Sequence, residues 1–256
     1  GSLWRFELSD QNAATWTKAN YLATGAESVH LSPDAKQLAV LDKKSHALKL
    51  LDAVAGTLIQ EFANVSVAVW DPMADANLAV SSLDGKLEIV SGANREVLSG
   101  VDLADGAKVK SLHFFKEKLM KEKEIAEVRY LMVQMEDERP EVADGFLQFV
   151  RLKPSEIPNE SSVSGKKSVK KGLKIAASPE ESVFATGDDA GTVTIWFASP
   201  KWDNLGAELF DLEGHRGASI ESIGFSRDGQ TLITSDSNNR LFGWLSSDSS
   251  VAKRKP

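Results

Sequence analysis

Apolar and polar residues alternate in short runs along most of the chain, and the runs are separated by stretches rich in Asp, Gly, Asn and Pro. Near the C-terminus Ile220 to Ser226 is apolar and β-compatible, Arg227-Asp228-Gly229 is a turn, and Thr231 to Ser235 is a second run. Asn238-Asn239 turns again, and Arg240 to Leu245 is a third run. Alternation with period two predicts strands with one buried face, and Asn and Gly supply the positive φ that tight hairpins need.

The same pattern stands 48 positions earlier, where IAASPEESVFATGDDAGTVTIW (175–196) lies on IGFSRDGQTLITSDSNNRLFGW (223–244). Ile175 pairs with Ile223, Ser178 with Ser226, Phe184 with Leu232, Thr186 with Thr234, Asp188 with Asp236, Val193 with Leu241 and Trp196 with Trp244. Residues 65–90 repeat it with Asp84-Gly85 in the second turn and Val90 at the tryptophan position, and residues 27–52 repeat it with SPDA in the first turn. A looser copy over 109–152 is interrupted by the charged segment KEKLMKEKEIAE (116–127).

A strand-rich period of roughly 40–50 residues predicts propeller blades. The expected units are 27–64, 65–106, 107–170, 171–212 and 213–250. LWRFELSD (3–10), with Trp4 in the closing position, followed by an outer strand from Thr15 to Ala23, predicts a partial blade over 1–26. The expected fold is all-β: a β-propeller of four-stranded antiparallel blades, five recognisable repeats plus a partial N-terminal blade, with residues 1–256 as one domain. A chain opening in mid-blade reads as a fragment of a longer protein with about six to eight blades.

These features resemble the WD-repeat family of β-propellers. The resemblance rests on Gly214-His215 opening the last unit, SRDG and SPDA in first hairpins, Asp84-Gly85 in a second hairpin, and Trp196 and Trp244 closing third strands. It implies a buried hydrogen-bonded set of His, Ser or Thr, Asp and Trp in each blade. The matching residues in the last unit are His215, Thr234, Asn238 and Trp244, with Asn in place of Asp. In the preceding unit Thr186 and Trp196 match, and Ala190 occupies the Asp position.

Composition narrows the chemistry. The chain has 256 residues, 42% of them hydrophobic, which suffices for a buried core. It has no cysteine, which excludes disulfides, thiolate metal sites and a cysteine nucleophile. A net charge of −7 disfavours non-specific nucleic-acid binding, and no apolar run is long enough to span a membrane as a helix. Nothing here selects a compartment; the cytoplasm is the default expectation.

The candidate sites have plain readings. His30, His46, His113 and His215 stand at non-equivalent places without metal-ligand spacing, so His215 reads as the blade-tying residue and the others as strand or turn residues. Asp188-Asp189 before Gly191 suggests a calcium loop but lacks its ligand ladder, and reads as a hairpin turn, as Asp34, Asp71, Asp75 and Asp228 do. The basic run Lys166 to Lys174 follows a polar segment and lacks stacking aromatics, so it reads as a mobile loop rather than a nucleic-acid site. The insertion at 116–127 reads as a helical turn or an extended hairpin decorating its blade.

No GxSxG, P-loop, dinucleotide or HExxH motif occurs, and no cofactor or metal is expected. The resulting expectation is a non-catalytic scaffold whose loops bind protein partners. In the WD-repeat family such surfaces lie chiefly on the face that carries the connections between blades and the turn between second and third strands. The resemblance carries this onto Lys43, Lys44, Lys86, Asp188, Asp189, Arg216, Asn239 and Arg240. The alternatives are an enzyme or ligand-binding propeller with a site at the central channel, and a sensor or docking segment of a bacterial multidomain protein whose catalytic domain lies outside this chain.

Overall fold

The computed structural model describes residues 2–9, 15–72, 77–91, 96–103, 107–121, 124–137, 144–152, 162–170, 172–198, 207–245 and 252–254. The chain divides into two compact units, residues 1–97 and 98–256. Among the described residues every element is a β-strand, and the pairings with a described register are antiparallel.

In the first unit β1 (Ser2–Ser9) pairs with β2 (Thr15–Thr24) as a two-stranded sheet. The next sheet is a four-stranded meander of β3 (Ala26–Leu31), β4 (Gln37–Asp42), β5 (Leu48–Asp52) and β6 (Leu58–Phe62). It is followed by β7 (Val65–Trp70), β8 (Leu78–Ser82), β9 (Lys86–Val90) and β10 (Val97–Asp102), a second meander whose last strand lies at the boundary between units. Leu41, Leu48 and Leu50 pack with Val65, Trp70 and Leu78 in one core, and the Trp70 indole donates to the His30 carbonyl at 3.0 Å. Val90 lies opposite Leu78, the register position that a tryptophan takes in the later sheets.

The second unit begins with a sheet of β11 (Ala107–Lys121), β12 (Glu124–Asp137), β13 (Asp144–Leu152) and β14 (Ser162–Lys170). Then come β15 (Lys174–Ala177), β16 (Val183–Gly187), β17 (Val193–Phe197) and β18 (Ala207–Leu212), to which β22 (Ala252–Arg254) adds as a fifth strand. The last sheet holds β19 (Ile220–Phe225), β20 (Thr231–Asp236) and β21 (Leu241–Leu245). Phe115, Tyr130 and Phe149 pack with Phe184, and Ile195 and Leu212 pack with Ile220, Leu232 and Trp244, so successive sheets share apolar faces. At the second of these contacts a Cβ on Gly187 would stand 2.5 Å from Ile220 Cγ2, so only glycine allows the approach.

The hairpin chemistry is repeated as closely as the strands. Ser32 Oγ donates to Asp34 and accepts from the Gln37 amide, and Ser226 Oγ does the same with Asp228 and Thr231. These side chains replace backbone partners that a short turn leaves unmet, as Ser and Asp do in turns generally. Asp71 is buried at the end of β7, and Asp75 lies outside the described residues.

Two expectations are corrected, and of the two forms expected for the insertion one is found. The basic run is strand rather than loop: Lys166, Lys167 and Lys170 lie on β14, opposite Gln148, Leu147 and Asp144, while Lys171 and residues 153–161 lie outside the described residues. Among the described strands β14 is the last of its sheet. The insertion takes the second of its two expected forms, an extended hairpin in which Lys118 is in register with Glu127 and Lys121 with Glu124; residues 122–123 lie outside the described set. Among the described residues the strand count also differs from four per unit, with three strands in the last sheet and five in the one before, because β22 pairs with β18.

Candidate functional site

Among the described residues a dense polar cluster lies at the end of the last sheet. Thr234 and Asp236 are two residues apart on β20, so the strand pleat places them on one face, and Trp244 on β21 reaches the same face. Trp244 Nε1 donates to Thr234 Oγ1 at 2.9 Å, Thr234 Oγ1 lies 2.7 Å from His215 Nε2, and His215 Nδ1 lies 2.8 Å from Asp236 Oδ2. With a neutral imidazole protonated on Nδ1, each donor meets one acceptor, from indole to hydroxyl to ring to carboxylate. His215 and Thr234 are fully buried and Asp236 nearly so.

Asp236 carries more than the histidine. Its Oδ1 accepts from the backbone amides of Asn238 and Arg240, and its Oδ2 also accepts from Arg240 Nε at 2.8 Å. The Arg240 guanidinium then donates to the His215 carbonyl, locking both ends of the cluster. Burial opposes ionisation of Asp236, but the bonds from His215, the Arg240 and Asn238 amides and the Arg240 side chain outweigh it and hold the pKa down to about 2. Phe242 stacks on Trp244 at 5.5 Å and meets the His215 ring edge-on at 4.5 Å. Gly214 precedes the histidine because a Cβ there would lie 2.7 Å from Trp244 Cη2.

His215, Thr234 and Trp244 are therefore brought together, but the carboxyl member of the set is Asp236, not Asn238. Asn238 is exposed and contributes its backbone amide. The signal was present in the sequence, since Asp188 and Asp236 are equivalent across the 48-residue repeat, and the Asp position of the preceding unit is Asp188 rather than Ala190.

In that preceding sheet Trp196 Nε1 donates to Thr186 Oγ1 at 2.8 Å, and Phe184 stacks on Trp196 at 5.9 Å. Asp188 Oδ1 accepts from the Ala190 and Thr192 amides at 3.0 and 2.8 Å, the same turn bonds that Asp236 makes. Earlier sheets keep the turn cap without the tryptophan. Asp42 Oδ1 accepts from the amides of Lys44 and Ser45, and Ser82 Oγ accepts from the Lys86 amide. Val40 and Val80 stand where the threonines do, paired with Lys49 and Glu88 on the next strand.

A second polar chain, which no motif announced, crosses the β11–β14 sheet. His113 Nε2 lies 2.9 Å from Ser111 Oγ, Ser111 donates to Gln134 Oε1, and Gln134 Nε2 donates to the Leu173 carbonyl. Loss of solvation lowers the His113 pKa to about 4. Among the described residues no group of three or more His, Cys, Asp or Glu side chains is placed to hold a metal ion. No described helix is long and apolar enough to cross a membrane.

Of the expected partner surface, Lys43, Lys44, Asp189, Arg216 and Asn239 are exposed in turns, and Lys86 is exposed at the start of β9. Arg216 and Asn239 have positive φ, 42° and 59°, fixed by the turns they occupy. Asp189 pairs with Lys170 at 2.9 Å, and that contact lowers the Asp189 pKa and raises that of Lys170. Asp188 is half-buried as the cap of its own turn. Arg240 is not a free surface group, because its guanidinium is committed to Asp236 and His215.

A strand–hairpin–strand repeat closed by a Trp–Thr–His–Asp set is what a WD-type repeat requires. Residues 206–244 match the family described as WD domain, G-beta repeat. That match and the all-β, multi-sheet architecture fit a WD-repeat protein with a propeller-like fold. No curated protein matches the chain.

Proposed function

We propose that the chain is a non-catalytic protein-interaction module that presents the tips of its second hairpins to protein partners. The observation that carries this reading is the shared construction of those tips. Asp42, Ser82, Asp188 and Asp236 hold the turn at one strand position in four sheets, while Lys43, Lys86, Asp189 and Asn239 beside them, and Arg216 in the loop between β18 and β19, are exposed. Turns held by their own side chains lose little entropy when a partner docks, and varied charged tips on similar supports give specificity by charge complementarity. Repeats of the matched type generally mediate protein–protein contacts.

The test is a combined charge reversal of Lys43, Lys86, Asp189 and Arg216. A partner captured by the wild-type chain and re-examined as a purified pair is expected to lose binding to the reversed variant, whose circular dichroism and melting temperature stay unchanged. A folded reversed variant that binds the partner undiminished rejects these tips as the docking surface.

A further inference from the structure

The two tryptophan-closed sheets share one construction, but only one contains a histidine. Thr186 and Asp188 stand at the strand positions of Thr234 and Asp236, Trp196 holds Thr186 as Trp244 holds Thr234, and Asp188 makes the same turn bonds through Oδ1. In the last sheet the loop between β18 and β19 brings His215 onto Thr234 and Asp236. In the sheet before it the described residues include no such loop. β14 runs on to Lys170 and the chain turns through Gly172 into β15, so the corresponding stretch is spent on strand. What remains is a cleft of ≈280 Å³ whose walls include Thr186, Asp188, Trp196, Val169, Lys170 and Leu173.

We propose that this cleft is a binding site for an imidazole group, whether a histidine side chain of a docked chain or a free small molecule. Thr186 and Asp188 line the cleft from the strand positions whose counterparts, Thr234 and Asp236, hold His215. Among the described residues the Thr186 hydroxyl, which already accepts the Trp196 indole proton, has no acceptor for its own hydrogen, and Asp188 Oδ2 has no donor. A neutral imidazole supplies one of each on opposite sides of a planar ring: an acceptor nitrogen for Thr186 and an N–H for the carboxylate. A guanidinium supplies donors only and leaves the hydroxyl hydrogen unmet. Lys170 stands at the rim but is engaged by Asp189, so it does not fill the place of the ring.

The experiment is an NMR titration of the full chain with imidazole and with N-acetyl-histidine amide, read at the indole N–H of Trp196, which a Trp196→Phe spectrum assigns. The resonance is expected to shift saturably with both probes. Asp188→Asn keeps the Oδ1 acceptor that caps the turn but puts a donor where the ring N–H must bind, so the fold survives and affinity falls about tenfold or more. His215→Ala opens the equivalent space in the last sheet and serves as the geometric control, with imidazole moving the Trp244 indole. An unmoved Trp196 resonance overturns the proposal, whether or not the Trp244 resonance moves in the control. So does equal binding of methylguanidine, or equal imidazole affinity in Asp188→Asn. Response to free imidazole without response to the histidine amide confines the site to small molecules and keeps the proposal.

Discussion

Replacing Thr234 by Val removes one oxygen and changes little volume, yet that oxygen joins two buried partners. The Trp244 indole loses its acceptor at 2.9 Å and His215 Nε2 loses its donor at 2.7 Å, in a site where Thr234 and His215 are both 0% exposed. Each buried polar group left without a partner costs roughly 1–3 kcal/mol, so Thr234→Val is expected to destabilise the chain by about 2–5 kcal/mol. Thr186→Val is the internal comparison. It breaks only the bond from Trp196, which is half-buried and within reach of water, so the expected cost is about 0.5–1.5 kcal/mol. Urea unfolding followed by far-ultraviolet circular dichroism measures both, and a cycle of Thr234→Val with His215→Ala isolates their coupling, expected at about 1 kcal/mol or more. Equal losses for the two threonine variants, or an additive cycle, would refute the idea that the histidine makes the last sheet's cluster a cooperative unit.

The carboxylate assignment predicts an asymmetry between neighbours: Asp236→Asn lowers the urea midpoint, whereas Asn238→Ala, which keeps the backbone amide bonded to Asp236, leaves it unchanged; the reverse order would return Asn238 to the network. Stability should also fall with acid in two stages. His113 is held near 4 in the folded chain against 6.5 unfolded, so it is neutral and at full benefit above about pH 6.5, and its contribution, on the order of 1–3 kcal/mol, is lost as pH falls toward 4. Asp236, held at about 2 against 3.8, adds a loss that begins below pH 3.8 and ends near pH 2. Urea midpoints measured across this range should show the first stage shrink in His113→Gln and the second persist; an unchanged first stage would place its origin elsewhere.

The repeat, the strands and the turns were legible in the sequence because they are encoded locally. Alternation marks the buried face of each strand, and Ser, Asp, Asn and Gly mark turns through bonds and dihedral angles spanning a few residues, as at Ser226, Asp228 and Gly229. The 48-residue spacing likewise placed Thr186 with Thr234 and Trp196 with Trp244. Membership in a cluster was legible only where a motif named it, as for His215; Arg240, which the resemblance placed on the partner surface, holds the network instead.

What the tertiary structure alone decided depends on partners distant in the chain. Asp236 rather than Asn238 meets His215, because the strand pleat sets which face each side chain of β20 occupies and the loop after β18 delivers the ring to that face. The lysine-rich segment became β14 because β13 offered a free edge to pair with, and its local composition did not reveal that neighbour. β22 adds to β18 for the same reason. The cleft beside Thr186 follows from such a pairing: once β14 extends to Lys170, no loop remains among the described residues to carry a histidine into the place that Asp188 and Thr186 hold open. Local patterns fix what a segment can form, and the edges and faces presented by the rest of the chain fix which of those forms it takes.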